Sequence, residues 1–377
     1  MTVASVDEPP VVAASATQRS VTFLVPEGVD DPLRVSGGNV YDQHVRDRLG
    51  AHGWSVDTVE VRDAVGAAGP TRPEAPLDAP AARGGDAGTL LDELPDGTTV
   101  LVDGLVAAGA PEEFRAAADR LRVVVLTHMV VAAFPDATPA QVDAERRMLS
   151  AAHRVVATSA WTAREFERRG LVDAGRVSVA APGVAASLPG SGERAPSVRA
   201  DGQLLCVGVV APHKGQDVLL AALARLPDQG WACTIAGSTD TSPEFASGLR
   251  RDAAALGGRV RFTGVLGRVA LDAEYERCGL LVAPSRVESA GMAIAEAQAR
   301  GIPVVAADVG GIRDTVSRGG AMLVTPEDPA ALAAALREWL TDPDVRRGLR
   351  HGARAARAAL PSWDDTAAAV AAALEAT

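Results

Sequence analysis

Among the 37 basic residues of this chain a single lysine stands, Lys214, in the stretch Val207-Gly-Val-Val-Ala-Pro-His-Lys-Gly215. Where every other cation is arginine, one ammonium suggests a place that calls for a compact point charge rather than a planar fork. A second set of chemistry-bearing residues lies at Pro284-Ser-Arg-Val-Glu-Ser-Ala-Gly-Met-Ala-Ile-Ala-Glu296, where Glu288 and Glu296 offer two carboxylates at one strand-to-helix junction. A carboxylate accepts two hydrogen bonds side by side. One of the pair therefore suits a vicinal diol such as ribose, and the other a sugar hydroxyl or a developing charge. The small residues Ser289, Ala290 and Gly291 leave room for a diphosphate to approach the helix N-terminus. Taken purely as structure, the same pair is a capping acid and a solvated helix position, and the residues alone leave both readings open.

The elements that must carry these groups follow from hydrophobic periodicity. Gln203-Leu-Leu-Cys-Val-Gly208 is a short apolar run closed by glycine and predicts a buried strand. After a turn at Pro212, Lys214 and Gly215 open an apolar-periodic helix through Leu226. A strand, a glycine turn and a helix N-terminus form a phosphate cradle, because unpaired N–H groups and the helix dipole point at the ligand. Lys214 then sits at its rim.

Upstream, strands are predicted at Val21–Val25, Val56–Val61, Thr98–Val102, Val123–Thr127, Arg154–Thr158 and near Val177–Ala180, alternating with helices. After Val25 a loop carries Ser36-Gly-Gly-Asn39. A long loop is expected over about Ala64–Gly88, which is rich in Pro, Ala and Gly. Downstream the rhythm restarts, with strands at Leu204–Val207, Ala232–Ala236, Val260–Thr263, Leu280–Val282, Val304–Ala306 and Ala321–Val324. Such alternation implies two α/β domains with parallel sheets and a ligand cleft at the C-terminal ends of their strands. The expected organisation is a disordered tail over 1–18, a first Rossmann-like domain over 19–185 and a linker over 186–201. A second Rossmann-like domain follows over 202–360, then a helix over 361–377 that crosses back to the first.

Composition narrows the function. The net charge of −11 argues against a nucleic-acid partner, which requires clustered cations. Cys206, Cys233 and Cys278 lie in apolar surroundings without paired spacing, as reduced core thiols do, which points to the cytoplasm. No leader pattern and no integral membrane segment is expected. Asp342-Pro-Asp344 has the form of a metal-binding pair but also of a helix start, and capping is the favoured reading, so no metal and no cofactor are expected. The arginines around Arg146, Arg147, Arg164, Arg168 and Arg169 interleave with glutamates and predict a solvated face.

The Glu288-x7-Glu296 spacing with its flanking residues resembles the signature of retaining glycosyltransferases of the GT-B architecture, family 4 in particular. Gly301-Ile-Pro-Val-Val-Ala-Ala-Asp-Val-Gly-Gly311, Ser36-Gly-Gly-Asn39 and Thr127-His-Met129 extend the resemblance from about residue 20 to the end. The resemblance implies a nucleotide-sugar donor held mainly by the second domain and an acceptor, a small molecule or a glycan, held mainly by the first. It further implies Lys214 on the diphosphate, Glu288 near the transferred hexose, Glu296 on the ribose and His128 on the sugar. Gly37, Gly38, Asn39, Gly208, Ser289, Ala290, Gly291 and Met292 would complete the donor site. In the family an arginine commonly follows the glycine that ends this strand, and here Val209 stands there. His213 or Arg286 is the candidate replacement cation. A sugar-nucleotide 2-epimerase of the same architecture and a non-catalytic nucleotide-binding protein are the alternatives. A dehydrogenase is disfavoured because no Gly-x-Gly-x-x-Gly follows either first strand.

Overall fold

A computed structural model of the chain describes residues 19–62, 84–185 and 200–377. The assigned tail 1–18, most of the long loop (63–83) and linker residues 186–199 lie outside the described residues. Two parallel sheets make the frame. The first holds β1 (Arg19–Pro26), β2 (Trp54–Val61), β3 (Gly84–Gly85), β4 (Thr99–Asp103), β5 (Arg122–Thr127), β6 (Arg154–Ala157) and β7 (Val177–Val179), in the order β3-β2-β1-β4-β5-β6-β7. The second holds β8 (Ala200–Val207), β9 (Ala232–Ala236), β10 (Val260–Gly264), β11 (Cys278–Ala283), β12 (Val304–Ala307) and β13 (Ala321–Val324), in the order β10-β9-β8-β11-β12-β13. Both are doubly wound Rossmann-like sheets, and in each the order reverses beside the first strand, the position at which open sheets of this kind bind ligands.

Both faces of each sheet are covered, which explains why the central strands read as unbroken apolar runs. Along β5, Val123 and Val125 enter one core while Val124 and Leu126 enter the core on the opposite face. In β11, Leu280 and Val282 face one core and Leu281 the other. The period of two thus survives inside a continuous hydrophobic stretch.

Two boundaries differ from the sequence expectation. The two-residue β3 lies within the predicted long loop, its glycines pairing with Glu60 and Val61 of β2. Ala200 and Asp201, assigned to the linker, open β8 instead. Asp201 is drawn into the fold by the Trp339 indole N–H, which donates to its carbonyl at 2.7 Å, and by Arg346, paired with its carboxylate at 3.0 Å.

The helix Trp363–Glu375 crosses back and completes the first domain. Trp363, Val370, Ala371 and Leu374 share one core with Val21, Phe23, Tyr41 and Leu126. Ser362 and Asp365 form a capping box at its start. Thr366 Oγ1 donates to the Ala181 carbonyl at 2.7 Å, and the Trp363 ring stacks on His44 at 4.1 Å. Across the cleft, Arg164 grips Asp314 through two hydrogen bonds of 3.1 and 2.9 Å, and the Phe134 ring meets His213 edge-on at 5.6 Å.

Candidate active site

Lys214 and Glu288, 74 residues apart in sequence, meet in a 2.7 Å ion pair. They come from adjacent strand ends, Lys214 from the turn after β8 and Glu288 from the loop after β11, which pair in the sheet. Lys214 does not open the α-helix as the periodicity implied. It closes a 3-10 turn over Pro212–Lys214, and Gly215 in the left-handed region then starts the helix Gln216–Leu223. Only glycine fits at 215, because a Cβ there would lie 2.1 Å from the Pro284 carbonyl oxygen. That approach brings the two loops together, and the Arg286 N–H donates to the His213 carbonyl at 2.8 Å.

Glu288 Oε2 takes the Lys214 ammonium, and Oε1 accepts the Gly291 N–H at 3.2 Å. Burial opposes its ionisation, but Lys214 and the Gly291 amide outweigh burial and hold the carboxyl below its ordinary range. Its loop is pinned from the far side by Gly310 and Gly311. The Gly311 N–H donates to the Glu288 carbonyl at 2.9 Å, and a Cβ on Gly310, whose φ is +56°, would sit 1.9 Å from that same oxygen. Ser289 is buried, and the Ala290 carbonyl accepts Thr315 Oγ1 at 2.7 Å. Gly291 caps the helix Met292–Ala299, at whose first position the Met292 sulfur approaches Gly37 of the first domain, 3.3 Å from where a Cβ would be. Glu296 lies on that helix, half-buried, 3.7 Å from Arg268. Gly208 follows β8, with the Lys214 side chain 3.6 Å from where a Cβ would be.

Neither candidate replacement for the cation missing at Val209 carries a free charge here. The Arg286 guanidinium is held by both oxygens of Asp217, at 2.8 and 2.7 Å, and by Glu327 at 2.8 Å, so its charge is spent within the second domain. Burial, reinforced by the neighbouring Lys214, pushes His213 down to about 4, which leaves it neutral at pH 7. The Val209 carbonyl accepts from Gln216 Nε2 at 2.9 Å. Lys214 is the cation of this turn.

In the first domain the Ser36-Gly-Gly-Asn39 segment is the start of a helix, not a loop. Ser36 caps the helix Gly37–Leu49 by accepting the Asn39 N–H at 3.0 Å. Asn39 Nδ2 donates to the Arg34 carbonyl at 2.8 Å, so the donors of Asn39 are engaged, and the amides of Gly37 and Gly38 are the first-turn groups that face outward along the axis. Gly38 packs on His128, 3.1 Å from its ring at the Cβ position.

His128 follows β5, and its Nε2 is shared by two buried carboxylates, Asp42 Oδ1 at 3.0 Å and Asp103 Oδ2 at 3.1 Å. Asp103 closes β4 and caps the next helix by accepting the Leu105 N–H at 2.6 Å, which fixes its other oxygen on the histidine. Burial alone would lower the imidazole, but the two carboxylates outweigh it and hold it up at about 10. Burial, with the charge of Asp103 adding, lifts Asp42 to about 7 against the pull of His128. No spacing rule in the sequence connects Asp42, Asp103 and His128, and neither aspartate was singled out there. Their donor atoms lie within 4.8 Å of one another, the one such group among the described residues. A tetrahedral ion with bonds of about 2.0–2.1 Å would separate its ligands by about 3.3 Å, whereas the 3.0 and 3.1 Å found suit an N–H shared between two acceptors. Asp342 caps the helix Pro343–Arg357, accepting the N–H groups of Asp344 and Val345.

Residues 194–356 match the family model described as glycosyl transferases group 1. The chain is 35% identical over 250 residues to a D-inositol 3-phosphate glycosyltransferase of Streptomyces avermitilis, covering 62% of this chain and 53% of that one. It is 36% identical over 250 residues to the protein of that name from Frankia alni, covering 61% and 60%. The chain thus spans about half the length of the first of these relatives. Among solved structures it resembles sucrose-phosphate synthase from Thermosynechococcus elongatus, with a TM-score of 0.71 at 22% identity over 93% of this chain and 96% of that one. It also resembles Anabaena HepE in complex with UDP-glucose, with a TM-score of 0.70 at 17% identity over 95% and 100%. The two facing sheets and the returning helix are the GT-B architecture of these neighbours, and residues 194–356 resemble the glycosyl transferases group 1 family.

Proposed function

We propose that this protein is a glycosyltransferase that moves a hexose from a nucleoside-diphosphate sugar to an acceptor hydroxyl, with retention at the anomeric carbon. The observation that carries the reading is the Lys214–Glu288 pair at the mouth of the second-domain crevice, beside the left-handed Gly291 turn. In the donor-free state Glu288 neutralises Lys214. When a diphosphate arrives, the ammonium turns to the phosphate oxygens and Glu288 is released toward the sugar. Charge accumulating on the leaving diphosphate is then met by Lys214 and by backbone amides of the flanking turns. Glu296 binds the ribose, and Gly37, Gly38 and His128 close the sugar site from the opposite wall. The acceptor proton passes to the departing diphosphate as the new bond forms on the same face, a step that calls on no metal.

The names of the sequence relatives support a small hydroxylated acceptor, of which inositol phosphates are the first to test. The UDP-glucose complex of Anabaena HepE supports a uridine donor as the first candidate. A cytoplasmic location belongs to the same proposal and is supported by the burial of Cys206, Cys233 and Cys278 among the apolar residues of the second domain, as reduced core thiols are. No helix among the described residues is long and apolar enough to cross a membrane.

The test is a donor screen that follows nucleoside-diphosphate release with and without acceptors, with the anomeric configuration of the product read by NMR. Acceptor-dependent release with a retained linkage is expected. Interconversion of the donor without acceptor would assign the site to an isomerase, and binding without turnover to a nucleotide-binding protein.

A further inference from the structure

The first-domain wall of the cleft carries a device that the transfer reaction as outlined does not explain. His128 is gripped at one nitrogen by two carboxylates, although one would suffice to orient it. Asp42 projects from the helix Gly37–Leu49 and Asp103 from the end of β4, and both are buried. Nothing else in the neighbourhood balances them, since no lysine or arginine pairs with either among the described residues. Of the other titratable groups packed there, Tyr41 meets the imidazole edge-on at 5.2 Å and spends its hydroxyl on the Ala180 carbonyl at 2.8 Å. The second oxygen of Asp42 is buried without a partner.

The geometry fixes which ring nitrogen does what. Once Asp42 is ionised, above about pH 7, two acceptors within 3.1 Å of Nε2 require a proton there, because an unprotonated nitrogen would face two carboxylates lone pair to lone pair. Two anions against one ring also favour the second proton, on Nδ1, over the neutral form. Nδ1 takes no hydrogen-bond partner among the described residues, while the side chain keeps 11% of its surface exposed. Gly38 covers the opposite, Cδ2 edge of the ring.

We propose that Asp42 and Asp103 are positioning residues that lock His128 as a doubly protonated ring, presenting Nδ1–H to the cleft as a donor that cannot become an acceptor. Such a group recognises a lone pair, on a sugar hydroxyl or a phosphoryl oxygen, and rejects any pose that offers it a proton. It also remains a donor at pH values where an ordinary histidine would have switched role. The inference rests on the proposed transferase reading for what the donor meets, but the state of the ring is independent of that reading.

The experiment is nitrogen-edited NMR of the histidine rings in the full chain, with His128→Asn assigning the resonances. The expected result is one ring protonated on both nitrogens up to about pH 9, which in Asp42→Asn becomes neutral by about pH 8. Asp42 caps no helix, so this variant spares the Asp103 cap. In turnover, Asp42→Asn should lose about tenfold or more at alkaline pH and regain most of that near pH 6, where His128 protonates unaided. A purely structural role for Asp42 would lower activity equally at both. A His128 ring that titrates near its ordinary value in the unaltered protein overturns the proposal. So does one equivalent of a divalent ion by mass spectrometry on the purified chain, with loss of the double protonation pattern in its presence. If no donor is ever turned over while the ring stays doubly protonated, the transferase reading falls and the lock stands.

Discussion

The two walls of the cleft both pair a cationic side chain with carboxylates, yet they do so with opposite charge balance. On the second-domain wall one ammonium meets one carboxylate, Lys214 with Glu288, and the pair is neutral and open enough to be parted by an anion. On the first-domain wall one imidazole meets two buried carboxylates, and the cluster has more acid than base. The first arrangement is suited to exchanging partners, since each charge can find a new one in the substrate. The second is suited to staying put, because separating any member strands a buried charge.

That contrast can be broken most sharply at Lys214. Lys214→Ala should cost about 10²–10³-fold in turnover, the loss seen when a donor to a developing charge is removed, and near-normal turnover would remove the lysine from the chemistry. Lys214→Arg should recover little, since the fork does not fit a point-charge site. Trp363→Ala strikes the fold beneath the other wall. With Trp363 5% exposed in the first-domain core, unfolding by denaturant should show a loss of about 3–5 kcal/mol. Gly310→Ala should displace the Glu288 loop, through the close approach to its carbonyl and the positive φ, at about 1–3 kcal/mol. Its effect should be larger on activity than on overall melting. Arg164→Ala, at the exposed bridge between the domains, should shift stability by less than about 1 kcal/mol.

A pH series separates the walls without mutation. Glu288 has a folded pKa held below its ordinary value, so its contribution is present above about 4.5 and lost as pH falls through the folded value. His128, held up at about 10, contributes fully below its ordinary 6.5 and loses that contribution as pH rises toward about 10. Asp42, raised to about 7, acts in the same direction between its ordinary 3.8 and that value. Melting temperature followed from acid to alkali should therefore show acid sensitivity reduced in Glu288→Gln, with Glu165, Asp217 and Glu274 supplying the remainder, and alkaline sensitivity reduced in Asp42→Asn.

The two walls also differ in how far the residues announced them. The strands were legible because parallel strands buried on both faces leave apolar runs bounded by glycine and proline. Lys214 was legible by rarity and Glu288 by its place in a dense local motif. The Asp42–Asp103–His128 cluster was not, because its members come from a helix and from two different strand ends, and only the sheet order β1-β4-β5 brings them together. Asp42 reads as one more polar residue in an amphipathic helix, and Asp103 as an ordinary cap. The start of the helix at Gly37 was missed because glycine is a poor helix former, and the Ser36 cap overrides that preference. Arg286 and His213 failed as replacement cations for reasons invisible in one dimension. One is saturated by Asp217 and Glu327, and the other is kept neutral by burial and by the lysine it was meant to assist.

The returning helix sets an order of events during synthesis. The first-domain residues Val21, Phe23 and Tyr41 leave the ribosome early, but the side chains that cover them, Trp363 through Leu374, arrive only after the whole second domain has been made. That flank of the sheet is left uncovered for the intervening translation, as a sticky surface for chaperones or for its own neighbours. The half that is translated first is the half that finishes folding last.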